Sequence, residues 1–177
     1  MAVIIPRHIP RLEDIEKFAQ VIPEIEPVAV EALLTLLRLS SGIASSAERY
    51  FSEHSLSEGR FTILMMLRRA QFLENLDSLS PAELAERTGV TRATVSGLLD
   101  KLEKDDLISR ETFKEDRRKI SVKLLPAGEK RLADALPGHF SRVSTLLSGL
   151  TTKEKKQLTA LLKTIWKTLA EVEPSEA

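Results

Sequence analysis

The chain has 177 residues, 42% of them hydrophobic and 29% charged, which suits one globular core or a small domain with appended helices. It contains no cysteine, which excludes disulfides, thiolate metal sites, thiol catalysis and thiol redox sensing. Its 26 basic and 26 acidic residues cancel, but zero net charge does not exclude a nucleic-acid partner, because the distribution of charge decides.

The N-terminus, MAVIIPRHIPRLEDIEKF, lacks the basic start and long apolar stretch of a secretory signal. No apolar run approaches the ~18 residues of a membrane span. The expectation is a soluble, cytoplasmic protein with no membrane partner. Residues 1–27 read as an N-terminal extension: an extended arm, then a short amphipathic helix over about 12–22 carried by Leu12, Ile15, Phe18, Ala19 and Ile22. Pro23 and Pro27 end it and start the next element. A long helical pattern follows from Val28 to about Glu53, and another from Ser57 to Leu73 with Ser57 as N-cap and Glu58 in the first turn.

In SPAELAERTG, Ser80 is the expected N-cap, Pro81 the first helical residue and Glu83 the reciprocal partner of a capping box. This helix stops at Gly89. Thr91 caps the next, over about 91–105. Two short helices joined by a few residues containing glycine form a helix-turn-helix signature. The period then changes to two: LISRETF and KISVKLL flank the charged KEDRRK, which reads as a hairpin with a long charged tip. Helices are expected over about 127–148 and, capped by Thr151 or Thr152, to near Val172, leaving 173–177 as a tail. The fold class is mainly α with a small β-hairpin wing: a winged helix-turn-helix over 56–126, plus a helical dimerisation domain from 28–55 and 127–172.

The helix after Thr91 is two-faced. Val95, Leu98, Leu99 and Leu102 point inward, while Ala93, Gly97, Asp100 and Lys104 point outward. A major groove roughly 12 Å wide admits a helix only at close approach, which Ala93 and Gly97 permit. Arg92 has the fork for a guanine edge, and Thr91, Thr94 and Ser96 carry hydroxyls for phosphates or bases. Gly97 costs roughly 1 kcal/mol relative to Ala in a helix interior, so it calls for a packing or approach reason. Across 107–123 six basic residues face three acidic ones, a local excess that suits phosphate or minor-groove contact.

The run LSPAELAERTGVTRATVSGLLDKLEKDDLISRETFKEDRRKISVKLLPAGEK, and more loosely LSEGRFTILMML, resembles the MarR family of winged-helix regulators. The resemblance extends over about 28–172. It implies a sequence-specific DNA-binding transcriptional regulator, a repressor in most members. Asp116 and Arg118 fall on the family's wing-tip Asp-x-Arg motif, in which the arginine enters the minor groove, with Lys114, Arg117 and Lys119 beside them. Leu125 and Pro126 replace the usual Leu-Thr at the hairpin exit. The resemblance further implies a homodimer of interlocked terminal helices. The broad apolar faces of the first and last long helices agree, being larger than monomers normally expose. A two-fold dimer predicts a pseudo-palindromic operator.

Many relatives release DNA on binding small aromatic acids. Arg38, Tyr50, His54 and Arg60 are the residues here suited to a phenolic or aromatic carboxylate effector. His8, His54 and His139 show no metal-ligand spacing, so neither metal nor cofactor is expected. The competing class is a winged helix used for protein contact without specific DNA binding; Arg117, Arg118 and Lys119 and the small Ala93/Gly97 face weigh against it. Catalysis is not expected, since there is no glycine-rich phosphate loop, nucleophile elbow or clustered His/Asp/Glu set.

Overall fold

The computed structural model describes residues 9–112 and 120–172. The elements are α1 (Leu12–Ala19), α2 (Pro27–Glu53), α3 (Glu58–Glu74), α4 (Pro81–Thr88), α5 (Arg92–Lys104), β1 (Ile108–Thr112), β2 (Ile120–Leu124), α6 (Pro126–Leu146) and α7 (Thr152–Val172). The expected class, mainly α with one hairpin, is the class observed. The chain divides into two compact units, residues 1–134 and 135–177, with the boundary inside α6.

Local chemistry sets most of the boundaries. Glu26 caps α2 by accepting from the Ala29 N–H at 2.9 Å, with Pro27 in the first turn where a missing N–H costs nothing. Ser57 caps α3, and Asn75 ends it in the left-handed conformation at φ 54°. Ser80 and Glu83 form the full capping box of α4, and Gly89 at φ 67° closes that helix. Thr151 and Glu154 build the same reciprocal arrangement at the start of α7. The early helix is shorter than its pattern suggests and stops at Ala19. Its chain runs on in turns, with the Val21 and Ile22 N–H groups both donating to the Phe18 carbonyl. Pro23 disfavours helical geometry at the residue before it, which stops propagation.

The core of the first unit is where α3, α4, α5 and the hairpin meet. Ile63, Leu64, Leu67, Leu84, Val95, Leu99, Leu102 and Val122 are all buried. Phe51 at the end of α2 stacks on Phe61 of α3, ring centroids 4.2 Å apart, and so ties the long helix to this core. The hairpin is antiparallel, with Ile108 opposite Leu124 and Thr112 opposite Ile120. A further strand contact was not foreseen. Leu79 bridges to Val122, the two residues exchanging N–H···O bonds of 3.1 and 2.8 Å. One bridging residue has no period of its own, so no alternation announces it. Gly128 seats the start of α6, because a Cβ there would lie 2.2 Å from the Leu107 carbonyl oxygen.

By length and composition α2 is apolar enough to cross a membrane, although it holds no long apolar run. Leu, Val, Ile and Ala raise its average without forming an unbroken run, and Glu31 and Arg38 interrupt it.

In the second unit α7 buries none of its residues. Leu158, Leu161, Leu162, Ile165 and Leu169 form an apolar stripe at helical spacing, and all are exposed. On α2 of the first unit, Val28, Leu33, Leu39 and Ile43 are exposed as well.

Candidate nucleic-acid interface

The helix-turn-helix is positioned from both ends of its turn. Arg87 at the end of α4 makes a two-pronged ion pair with Glu74 of α3, both contacts 2.8 Å. That pairing holds the Glu74 carboxyl below its ordinary value and raises the Arg87 guanidinium. Thr91 then opens α5, its hydroxyl oxygen accepting from the Thr94 N–H at 3.2 Å. The two threonine hydroxyls are also 2.9 Å apart. Thr91 is therefore a cap first, and the Thr94 hydroxyl is tied to it.

Beyond the cap, α5 separates its faces cleanly. Val95, Leu99 and Leu102 are buried and Leu98 is half-buried against Gly59 of α3. Thr91, Arg92, Ala93, Thr94, Ser96 and Gly97 are all exposed. Gly97 is the informative position. A Cβ built there meets nothing within 4 Å, so no packing among the described residues requires glycine. The backbone is ordinary helix, so no positive φ requires it either. Neither packing among the described residues nor backbone conformation therefore accounts for the glycine.

In the C-terminal half of the same helix the carboxylates are clamped. Arg110 of β1 reaches back to two carboxylates of α5, with Nη2 on Asp100 at 2.8 Å and Nε on Glu103 at 2.8 Å. The Glu103 carboxyl is held below its ordinary value by this hydrogen bond, and Arg110 is raised in turn. Arg60 of α3 pairs with Asp105, the residue that ends α5.

The wing reading needs adjustment. Lys114, Asp116, Arg117, Arg118 and Lys119 lie outside the described residues. Two of the six basic residues counted across the hairpin belong to its framework: Arg110 is occupied by Glu103 and Asp100, and Lys123 pairs with Glu111 across the strands at 2.8 Å. An alternating strand pattern does not reveal which charges face each other, because that depends on register.

The four residues suggested for an effector do not form one cluster within the chain. Tyr50 is buried and its ring lies 4.5 Å from that of His54. His54 Nδ1 is 3.1 Å from the Tyr50 carbonyl, and Arg131 of α6 donates to the His54 carbonyl at 3.3 Å. Arg60 instead turns to α5. Arg38 is exposed and sits twelve residues before Tyr50 on α2, roughly 18 Å along the axis. Sequence reading did not pick out Arg131, which reaches this corner from 77 residues away. Among the described residues, no group of three or more His, Asp or Glu is placed to hold a metal ion.

Residues 56–120 match the model of the MarR family. The HTH-type transcriptional repressor YetL of Bacillus subtilis is 38% identical over 164 residues, covering 93% of this chain and 96% of that protein. The chain belongs to the MarR family. As a MarR-family protein it is a transcriptional regulator and not an enzyme. Its fold is similar to that of MepR in the S. aureus MepR–DNA complex, with a TM-score of 0.68 at 25% identity over 76% of this chain and 96% of that one. AbsC, a MarR-family regulator from Streptomyces coelicolor, shares the fold at a TM-score of 0.70 and 22% identity, over 79% of this chain and 93% of that one.

Proposed function

We propose that the protein is a homodimeric transcriptional repressor that docks α5 into the major groove of a pseudo-palindromic operator, working in the cytoplasm. The observation that carries this reading is the bare, exposed face of α5 from Arg92 to Gly97, with a glycine that no packing among the described residues requires. Arg92 is the expected base reader, Thr91 and Ser96 supply hydroxyls, and Ala93 and Gly97 give clearance. Arg118, oriented by Asp116, would enter the minor groove, with Lys114, Arg117 and Lys119 on phosphates. YetL is named a repressor and MepR is described bound to DNA, which supports the same reading.

Dimerisation through 28–55 and 127–172 is supported by the stripes on α2 and α7. Trp166 is 73% exposed and Leu161 64%, a degree of apolar exposure that a single soluble chain seldom tolerates. The same interface accounts for the apolar length of α2 without a membrane. A small aromatic carboxylate acting beside Tyr50 and His54, with Arg131 supplying cationic character, is the proposed release signal.

Three measurements test the proposal together. Light scattering should give the mass of a dimer, and fragments retained from the source genome should share an inverted repeat. Benzoate titrated against the retained complex should then release it. A concentration-independent monomer mass, or retention without a shared sequence, overturns the corresponding part.

A further inference from the structure

Reading DNA requires that α5 meet the groove at one angle. Buried Val95, Leu99 and Leu102 seat its inner face in the core, and polar ties at its C-terminal half add a second hold on that angle. Three carboxylates lie there, Asp100, Glu103 and Asp105, and arginines from two different elements hold them. Arg110 takes the first two from the hairpin, and Arg60 takes the third from α3.

The Arg60 contact has features that a casual surface pair lacks. The Arg60 side chain is only 14% exposed, whereas Asp105 is 47% exposed. Asp105 is the C-cap of α5, where the helix dipole repels a carboxylate, so it is an unfavourable residue unless a cation holds it. Asp105 engages Nη2 of Arg60, while Nε on the same edge is buried without a hydrogen-bond partner among the described residues. The guanidinium therefore spends a largely desolvated fork on a single tie to the end of α5.

The next point of contact defines a pivot. Gly59, the residue before Arg60, lets α3 approach Leu98 in the middle of α5 so closely that a Cβ would lie 3.1 Å from it. From Leu98 the helix extends seven residues to Asp105 and six to Arg92, roughly 10 Å one way and 9 Å the other. A displacement of Asp105 about this pivot moves Arg92 by nearly the same distance in the opposite direction.

We propose that Arg60 and Asp105 are positioning residues for DNA recognition, setting the angle of α5 in the groove from outside the DNA-contacting face. The inference rests on the DNA-binding reading above. The pair acts on sequence discrimination, because base edges demand exact placement whereas phosphate attraction tolerates small rotations.

The test uses the full chain and a duplex selected by the wild-type protein, with a scrambled duplex of equal length at the same salt. Affinities for both duplexes and the melting temperature are measured for Arg60→Gln, Asp105→Asn, Arg60→Lys and the double variant Arg60→Gln/Asp105→Asn. The preference for the selected duplex should fall about tenfold in Asp105→Asn and in Arg60→Gln, and less in Arg60→Lys. Affinity for the scrambled duplex should stay within about twofold, and the double variant should lose no more than the worse single one. Asp105→Asn alters a partly exposed side chain, so it keeps the test valid if Arg60→Gln fails to fold. An unchanged preference in Asp105→Asn, a loss shared equally by both duplexes, or losses that multiply in the double variant overturns the inference. If the wild-type protein selects no sequence, the DNA-binding reading fails first and the inference falls with it.

Discussion

Replacing Gly97 by alanine should push stability and DNA binding in opposite directions. Among the described residues the new methyl meets nothing within 4 Å, so no clash there offsets the helix-propensity gain. Glycine in a helix interior is worse than alanine by about 0.5–1 kcal/mol, so Gly97→Ala should stabilise the fold by that amount. For a chain of this size, that raises the melting temperature by roughly 1–4 °C, measured at matched protein concentration because assembly also shifts the transition. The same methyl would project from the face proposed to enter the groove. A misfit costing about 1.4 kcal/mol is a tenfold loss of operator affinity. Calorimetry gives the first quantity, and fluorescence anisotropy on the selected duplex gives the second. A variant that is more stable yet binds its operator as tightly as wild type would refute the close-approach argument. A less stable variant would show that Gly97 has a packing role inside the protein.

Other substitutions probe separate links. Arg92→Ala should weaken operator binding by roughly 1–3 kcal/mol and broaden the set of sequences retained, seen by sequencing the bound fragments. Gly128→Ala should destabilise the fold by about 1–3 kcal/mol, because its Cβ would sit 2.2 Å from the Leu107 carbonyl oxygen and backbone must move; chemical denaturation reads this directly. Acid should loosen the Arg110 clamp. The folded protein holds Glu103 below its ordinary value of 4.5, so the stability this contributes is complete above that pH and is lost as pH falls through the lower, folded value. The stability gap between wild type and Glu103→Gln should therefore narrow below about pH 4.5, and a gap that stays constant would remove the ion pair from the account.

What the sequence made legible follows from the range of the interactions. Caps and turns are local, so Ser57, Ser80 with Glu83, Gly89 and Thr91 announced the boundaries that the structure has. The inward face of α5 was legible for the same reason, since helical periodicity alone selects Val95, Leu99 and Leu102. The single-residue bridge from Leu79 to Val122 was not, because it depends on two segments meeting 43 residues apart. Nor were the partners of α5: Asp105 meets Arg60 across 45 residues, and Arg110 folds back over seven onto Glu103. These pairs change how the charge is read. Arg110 and Lys123 looked like part of a basic wing and are structural, while Arg60 looked like an effector ligand and is tied to the recognition helix. Gly97 moved the other way. Its sequence left packing and approach both open, and the empty space around it among the described residues takes away packing within the chain as the reason.

The most direct test of the account is to sequence the DNA fragments that the purified protein retains at moderate salt. A dimer presenting two copies of α5 predicts an inverted repeat whose half-sites lie about 10–10.5 base pairs apart, centre to centre. Retained fragments that share no motif, or a single half-site without its inverted copy, would contradict it.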